Sequence, residues 1–199
     1  MPAPSPSPAP LWPLVCAAAA PVAMIGGWTL AAAHQPRFDA VRETISALAS
    51  APARSPWLMT AGLAVTGVSY VLTAGGLRGA RPAGRIVLAV GGVATAAVAA
   101  LPVVAFPGPH GVAAAAGFAA LTAWPALATP AGRADPYGRR TGVAASAVLL
   151  ALLIWFVAEL QHLTPDGGTT TGLAERFVAG GQSLWPLAAV LLARRRVAQ

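Results

Sequence analysis

Leu11 to Ala33 reads LWPLVCAAAAPVAMIGGWTLAAA, 23 residues without one charged side chain. A run of that length is what a helix needs to cross about 30 Å of hydrocarbon. Five further apolar runs follow, at roughly 56–77, 86–105, 111–129, 142–163 and 177–193. A main chain in lipid has no water to satisfy its amides, so each run is expected to close its hydrogen bonds within itself, as a helix. The chain is therefore predicted to be an all-α polytopic membrane protein. It forms a six-transmembrane-helix bundle in a single domain over 11–193, with a short amphipathic helix in the first outer loop. Only 10% of its residues are charged and its mean hydropathy is +0.65, where soluble domains carry about 25% charge.

The segments outside the runs complete the layout. Residues 1–10, MPAPSPSPAP, read as a disordered Pro-rich tail and 194–199 as a basic cytoplasmic tail. No Arg or Lys precedes the first run, so it reads as a retained helix rather than a signal peptide. All 13 basic residues are Arg, which with 21 Gly and 19 Pro suggests a GC-rich bacterial genome. The net charge of +7 is explained by loop arginines, and no nucleic-acid partner is expected. Cys16 is alone and can form no intramolecular disulfide. With six spans, nine arginines fall on the side of the termini and four (Arg37, Arg42, Arg54 and Arg176) on the other. The positive-inside rule then places both termini in the cytoplasm of a bacterial plasma membrane.

On that topology the polar chemistry collects on the outer side. His34, His110 and His162 fall there, with Asp39, Glu43, Asp166 and Glu175, while Glu159 lies near the outer end of the fifth span. In FDAVRETISALAS, residues 38–50, Phe38, Val41, Ile45 and Leu48 recur at helical spacing, and Asp39, Arg42, Glu43 and Ser46 take the opposite face. About 12 residues cannot span, so the segment reads as an interfacial or re-entrant helix. It is either a solvated connector or a lid with Arg42 and Ser46 over the bundle mouth. In WFVAELQHL, Glu159 and His162 share a face. An ionisable residue inside a span is a functional candidate by default; alternatively Glu159 pairs with Arg42 or Arg176, or sits at the interface. His110 lies in FPGPHG, read as a Pro/Gly turn between the third and fourth spans. Pro102, Pro125 and Pro186 are candidate kinks.

Three stretches, VRETISALAS, FPGPHG and GLAERF, resemble a family of prokaryotic six-span membrane proteins, domain-of-unknown-function family 998. That resemblance matches Arg42, Thr44, Ile45, Ser46 and Leu48 to an R-x-T-I-S-x-L stretch after the first helix. It matches His110 to a Pro/His turn, and Gly172, Leu173, Glu175 and Arg176 to a G-L-x-[EQ]-R stretch. It covers roughly 11–193 and implies the fold without implying an activity.

Three functions compete. The first is an outward-facing site for a lipid headgroup or small polar ligand, with Arg42, Ser46, Glu175, Arg176 and Gln182 binding it. The second is an intramembrane lipid hydrolase or transferase drawing on Ser46, His110, Glu159 and His162. The third is a small transporter. No metal-ligand spacing and no nucleotide-binding motif occurs in the sequence, so no metal or cofactor is expected. Membrane lipids are the expected partners, with a homo-oligomer or another membrane protein open.

Overall fold

The structure, a computed structural model, describes residues 10–129 and 138–197. Most of the Pro-rich tail, residues 130–137 with Arg133 and Asp135, and the last two residues lie outside the described residues. Seven helices and no strand occur among the described residues: α1 (Trp12–Ala33), α2 (Ile45–Leu48), α3 (Pro56–Gly76), α4 (Pro82–Ala100), α5 (Pro107–Leu127), α6 (Arg139–Leu160) and α7 (Thr171–Val197). Five of them, α1 and α3 to α6, are long and apolar enough to cross a membrane. The chain is a helical polytopic membrane bundle. Val22, Ile86, Val93 and Ile154 stand more than 60% exposed or close to it on its outside, an apolar girdle that lipid covers and water would not tolerate.

Helix starts are set by proline. α3, α4 and α5 each open on Pro at the first helical position, where the missing N–H has no partner to lose and φ is already helical. This corrects the reading of FPGPHG as a turn: Pro107 to His110 form the first turn of α5. Pro109 is tolerated there because first-turn amides have no intrahelical acceptor. Likewise Pro102 kinks nothing, since α4 has already ended at Ala100. Pro125 and Pro186 do lie inside helices, as does Pro21.

Successive long helices are antiparallel, and the last closes on the first. Gly27 meets Gly62 while Pro13 meets Gly76; Gly67 meets Gly92; Gly91 meets Leu121; Gly142 meets Pro125; Gly181 meets Leu149; and Gly180 meets Trp28 of α1. Helices of lipid-like hydrophobicity gain nothing from leaving lipid, so backbone approach through small residues holds them together. A Cβ on Gly67 would stand 2.6 Å from the Gly92 carbonyl oxygen, and one on Gly92 2.6 Å from that of Gly67. The outcome is a ring, α1–α3–α4–α5–α6–α7, whose α2 end carries the C-termini of α1, α4 and α6 and the N-termini of α3, α5 and α7.

Gly67→Ala is expected to destabilise the bundle by about 1–3 kcal/mol through overpacking against rigid backbone. Gly26→Ala, with nothing within 4 Å of the new Cβ, should leave stability unchanged or slightly raised. Thermal melts of the two variants in detergent check this.

Candidate active site

The first loop does not form the continuous amphipathic helix that its periodicity suggests. Asp39 makes a turn first: its carboxylate accepts from the amides of Val41 (2.9 Å) and Arg42 (3.3 Å), and Glu43 Oε1 accepts from the Asp39 amide (2.8 Å). Thr44 is then extended (φ −71°, ψ 159°) and caps α2, its hydroxyl accepting from the Ala47 amide. The extended residue breaks the helical phase, so Arg42 and Ser46 end on different sides. Arg42 is 68% exposed and pairs with Asp39 at 3.6 Å; it reaches neither Glu159 nor Glu175. Ile45 and Leu48 are buried, and Ser46 turns into the bundle.

α7 holds this loop through the GLAER stretch. Glu175, buried, accepts from the Ile45 amide through Oε2. Arg176 Nη1 donates to the carbonyl oxygens of Ala40 (2.9 Å), Glu43 (2.9 Å) and Gly172 (2.8 Å), with its guanidinium 5.4 Å from the Phe38 ring centre. The Leu173 amide donates to Val41 O at 2.9 Å. Gly172 lies so close to the Glu43 carbonyl that a Cβ would collide with it. The two stretches are therefore one unit, with α7 providing acceptors and donors that the irregular loop lacks.

Ser46 meets His110 at this unit's inner edge. His110 Nδ1 lies 2.7 Å from Leu101 O and Nε2 lies 3.1 Å from Ser46 Oγ. A carbonyl oxygen can only accept, so Nδ1 carries the hydrogen, and in the neutral ring Nε2 is left to accept from the Ser46 hydroxyl. A hydroxyl, an imidazole and an orienting carbonyl thus stand in hydrogen-bonded series. Below them lies a mostly apolar cavity, open at its mouth, lined by Ser46 and Glu175 and, deeper, by Tyr70 and Gln182. The Gln182 amide is itself tied, donating to Phe118 O and Thr122 Oγ1, both at 3.0 Å.

Glu159 and His162 stand apart from this pair, each with main-chain partners of its own. Glu159 is buried and pairs with neither arginine; its Oε2 accepts from the Thr170 amide at 2.9 Å, at the start of α7, where the helix dipole favours a negative group. His162 follows the last turn of α6 with φ 56°. Leu163 N donates to Ala158 O (2.8 Å) and His162 N to Glu159 O (3.0 Å), the bond pair of a Schellman stop. Its ring donates from Nδ1 to Gly167 O at 2.8 Å, closing the loop. Within that loop the Asp166 carboxyl is held below the usual range by its own backbone amide and by the hydroxyls of Thr164 and Thr169. His34 is exposed at the end of α1, and no three His, Cys, Asp or Glu side chains among the described residues gather to hold a metal.

These features define a class: a polytopic helical membrane protein with a hydrogen-bonded Ser–His pair at one end of the bundle. The chain belongs to the family described as Protein of unknown function (DUF998), whose model matches residues 17–192. No curated protein and no solved structure matches it.

Arg176→Ala is expected to free the 38–45 loop at a cost of about 3 kcal/mol, since one charged donor serves two loop carbonyls. Arg42→Ala should be neutral, because an exposed ion pair contributes little. Hydrogen exchange at the Val41 and Ile45 amides, with a melt of each variant, separates the two arginines.

Proposed function

We propose that this protein is an intramembrane serine acyl hydrolase or acyltransferase acting on lipid esters. The observation that carries the reading is the 3.1 Å contact from Ser46 Oγ to His110 Nε2, with Nδ1 anchored on Leu101 O. Ser46 Oγ attacks the ester carbonyl carbon while its proton moves to His110 Nε2. The bond to the leaving alcohol then breaks, and His110 returns the proton to that alcohol. Water, or a second alcohol in a transferase, attacks the acyl-Ser46 with His110 again taking the proton, and Ser46 recovers its hydrogen as the product leaves. Glu175 positions the nucleophile through the amide of the preceding residue.

The headgroup-binding reading draws less support. Arg42 turns outward, and Arg176 is committed to three carbonyls through Nη1, with its buried Nη2 left without a partner among the described residues. Transport draws less still, because α1 and α3 to α7 run unbroken where transporter sites use interrupted helices.

We place the chain in a bacterial plasma membrane with both termini cytoplasmic and the Ser46 end outside. Support comes from the nine-to-four division of arginines. A reporter fused after Gln199 is expected to be active in the cytoplasm alone, and one inserted near Gly108 outside alone. A C-terminal fusion active outside would overturn the six-span topology.

A fluorophosphonate should label the purified protein at Ser46. Ser46→Ala should abolish labelling, and His110→Gln should slow it about 100-fold or more, while both variants melt cooperatively. Folded wild-type protein that takes no label, or takes it elsewhere, sinks the reading.

A further inference from the structure

The cavity beneath Ser46 has a direction and two chemically different ends. Its wall positions pair off seven residues apart on three helices: Leu63 with Tyr70 on α3, Ala114 with Leu121 on α5, Glu175 with Gln182 on α7. Seven residues are two helical turns, so each pair occupies one helix face and spans about 10 Å. α3, α5 and α7 all run away from the Ser46 end, so the three pairs outline one slot leading down from the nucleophile. Midway its wall is mostly hydrocarbon (Met24, Phe118), the Thr95 hydroxyl being tied to Gly91 O, and Gly117 and Ala179 leave it width.

The far end is polar. Tyr70 is fully buried and lines the slot, yet its hydroxyl has no hydrogen-bond partner among the described residues. A buried tyrosine hydroxyl ordinarily finds one, because leaving it unmet costs free energy. The Gln182 amide stands at the same depth, two turns below Glu175. A purely apolar chain would cover this end without satisfying it.

We infer that the substrate's acyl arm is a medium-length chain with an oxygen at its far end, the carbonyl carbon at Ser46 Oγ and the distal oxygen accepting from the Tyr70 hydroxyl. C–C bonds of about 1.5 Å advance an extended chain by about 1.25 Å per carbon, so a slot of about 10 Å holds about eight carbons. The substrate class is an ester of an oxygenated medium-chain acid. The position of the carbonyl rests on the Ser46–His110 reading; the slot and its polar end do not.

Two measurements on the full chain in detergent separate the inference from that reading. The first is acylation of Ser46, followed by intact mass spectrometry, with 4-nitrophenyl esters of octanoate, 8-hydroxyoctanoate and palmitate. 8-Hydroxyoctanoate should react about tenfold faster than octanoate and palmitate slowest. Tyr70→Phe should erase the hydroxyl preference, so that octanoate and 8-hydroxyoctanoate react at equal rates. The second is thermal stabilisation of the Ser46→Ala protein by 8-hydroxyoctanamide against octanamide, which reads the slot without chemistry. The hydroxylated amide should stabilise more, and adding Tyr70→Phe should make the two equal. Acylation without chain preference, or a preference that survives Tyr70→Phe, overturns the inference and leaves the Ser–His chemistry standing. No acylation by any ester, with the amide preference intact in Ser46→Ala and lost on adding Tyr70→Phe, overturns the chemistry and supports the slot. Equal stabilisation by both amides in Ser46→Ala overturns the inference whatever the esters do.

Discussion

An irregular main chain at the mouth of a membrane bundle must find hydrogen-bond partners in the protein around it, because hydrocarbon offers none. Residues 38–50 meet much of that demand through side chains, beside main-chain bonds such as Glu43 N to Asp39 O. Asp39 and Thr44 serve amides within the loop, Glu175 takes the Ile45 amide, and Arg176 serves two carbonyls. Ser50 extends the network to the next connection by accepting from the Val103 amide at 3.0 Å. Each bond ties loop to helix or loop to loop, and together they fix where Ser46 stands. The glycine-lined helix seams decide the bundle's shape; this network decides that its open end is ordered.

The chemistry at that end follows from the way two helices terminate. α4 stops at Ala100 and leaves Leu101 with an unclaimed carbonyl; α5 begins at Pro107 and presents His110 within its first turn. His110 spans the gap, bonded to Leu101 on one side and Ser46 on the other. Ser46, 64 residues before His110, is thereby brought into one hydrogen-bonded series with the junction of α4 and α5. Its environment is mostly apolar, and the polar groups in it are few and placed.

How much of this could be read from the residues alone depends on the physics behind each inference. The helical class was legible because apolar runs near 20 residues admit almost one solution in lipid. The grouping of VRETISALAS, His110 and GLAER at one end was legible too, since counting spans places them there. The face of Arg42 was not. The i, i+4 argument assumed an unbroken helix, and the extended Thr44 resets the phase. The shared face of Glu159 and His162 failed for a related reason: α6 ends at Leu160, so His162 belongs to the helix stop while Glu159, still in α6, bonds the Thr170 amide before α7. The role of Leu101 left no trace in sequence, because a main-chain carbonyl has no residue type. Nor did the unmet Tyr70 hydroxyl, which only packing reveals.

That carbonyl has a consequence for heredity. The group that sets the tautomer of His110 belongs to the peptide backbone, so no single codon change can delete it as a side chain is deleted. A survey of point variants would register Ser46 and His110 as sensitive and pass over position 101, where any residue of suitable bulk still presents the same oxygen. What could remove the acceptor is a shift in chain length between Ala100 and Pro107, which would move the carbonyl out of reach of the ring. Insertions and deletions in those six intervening positions, more than substitutions, are where lineages of this fold would lose or abandon the pair.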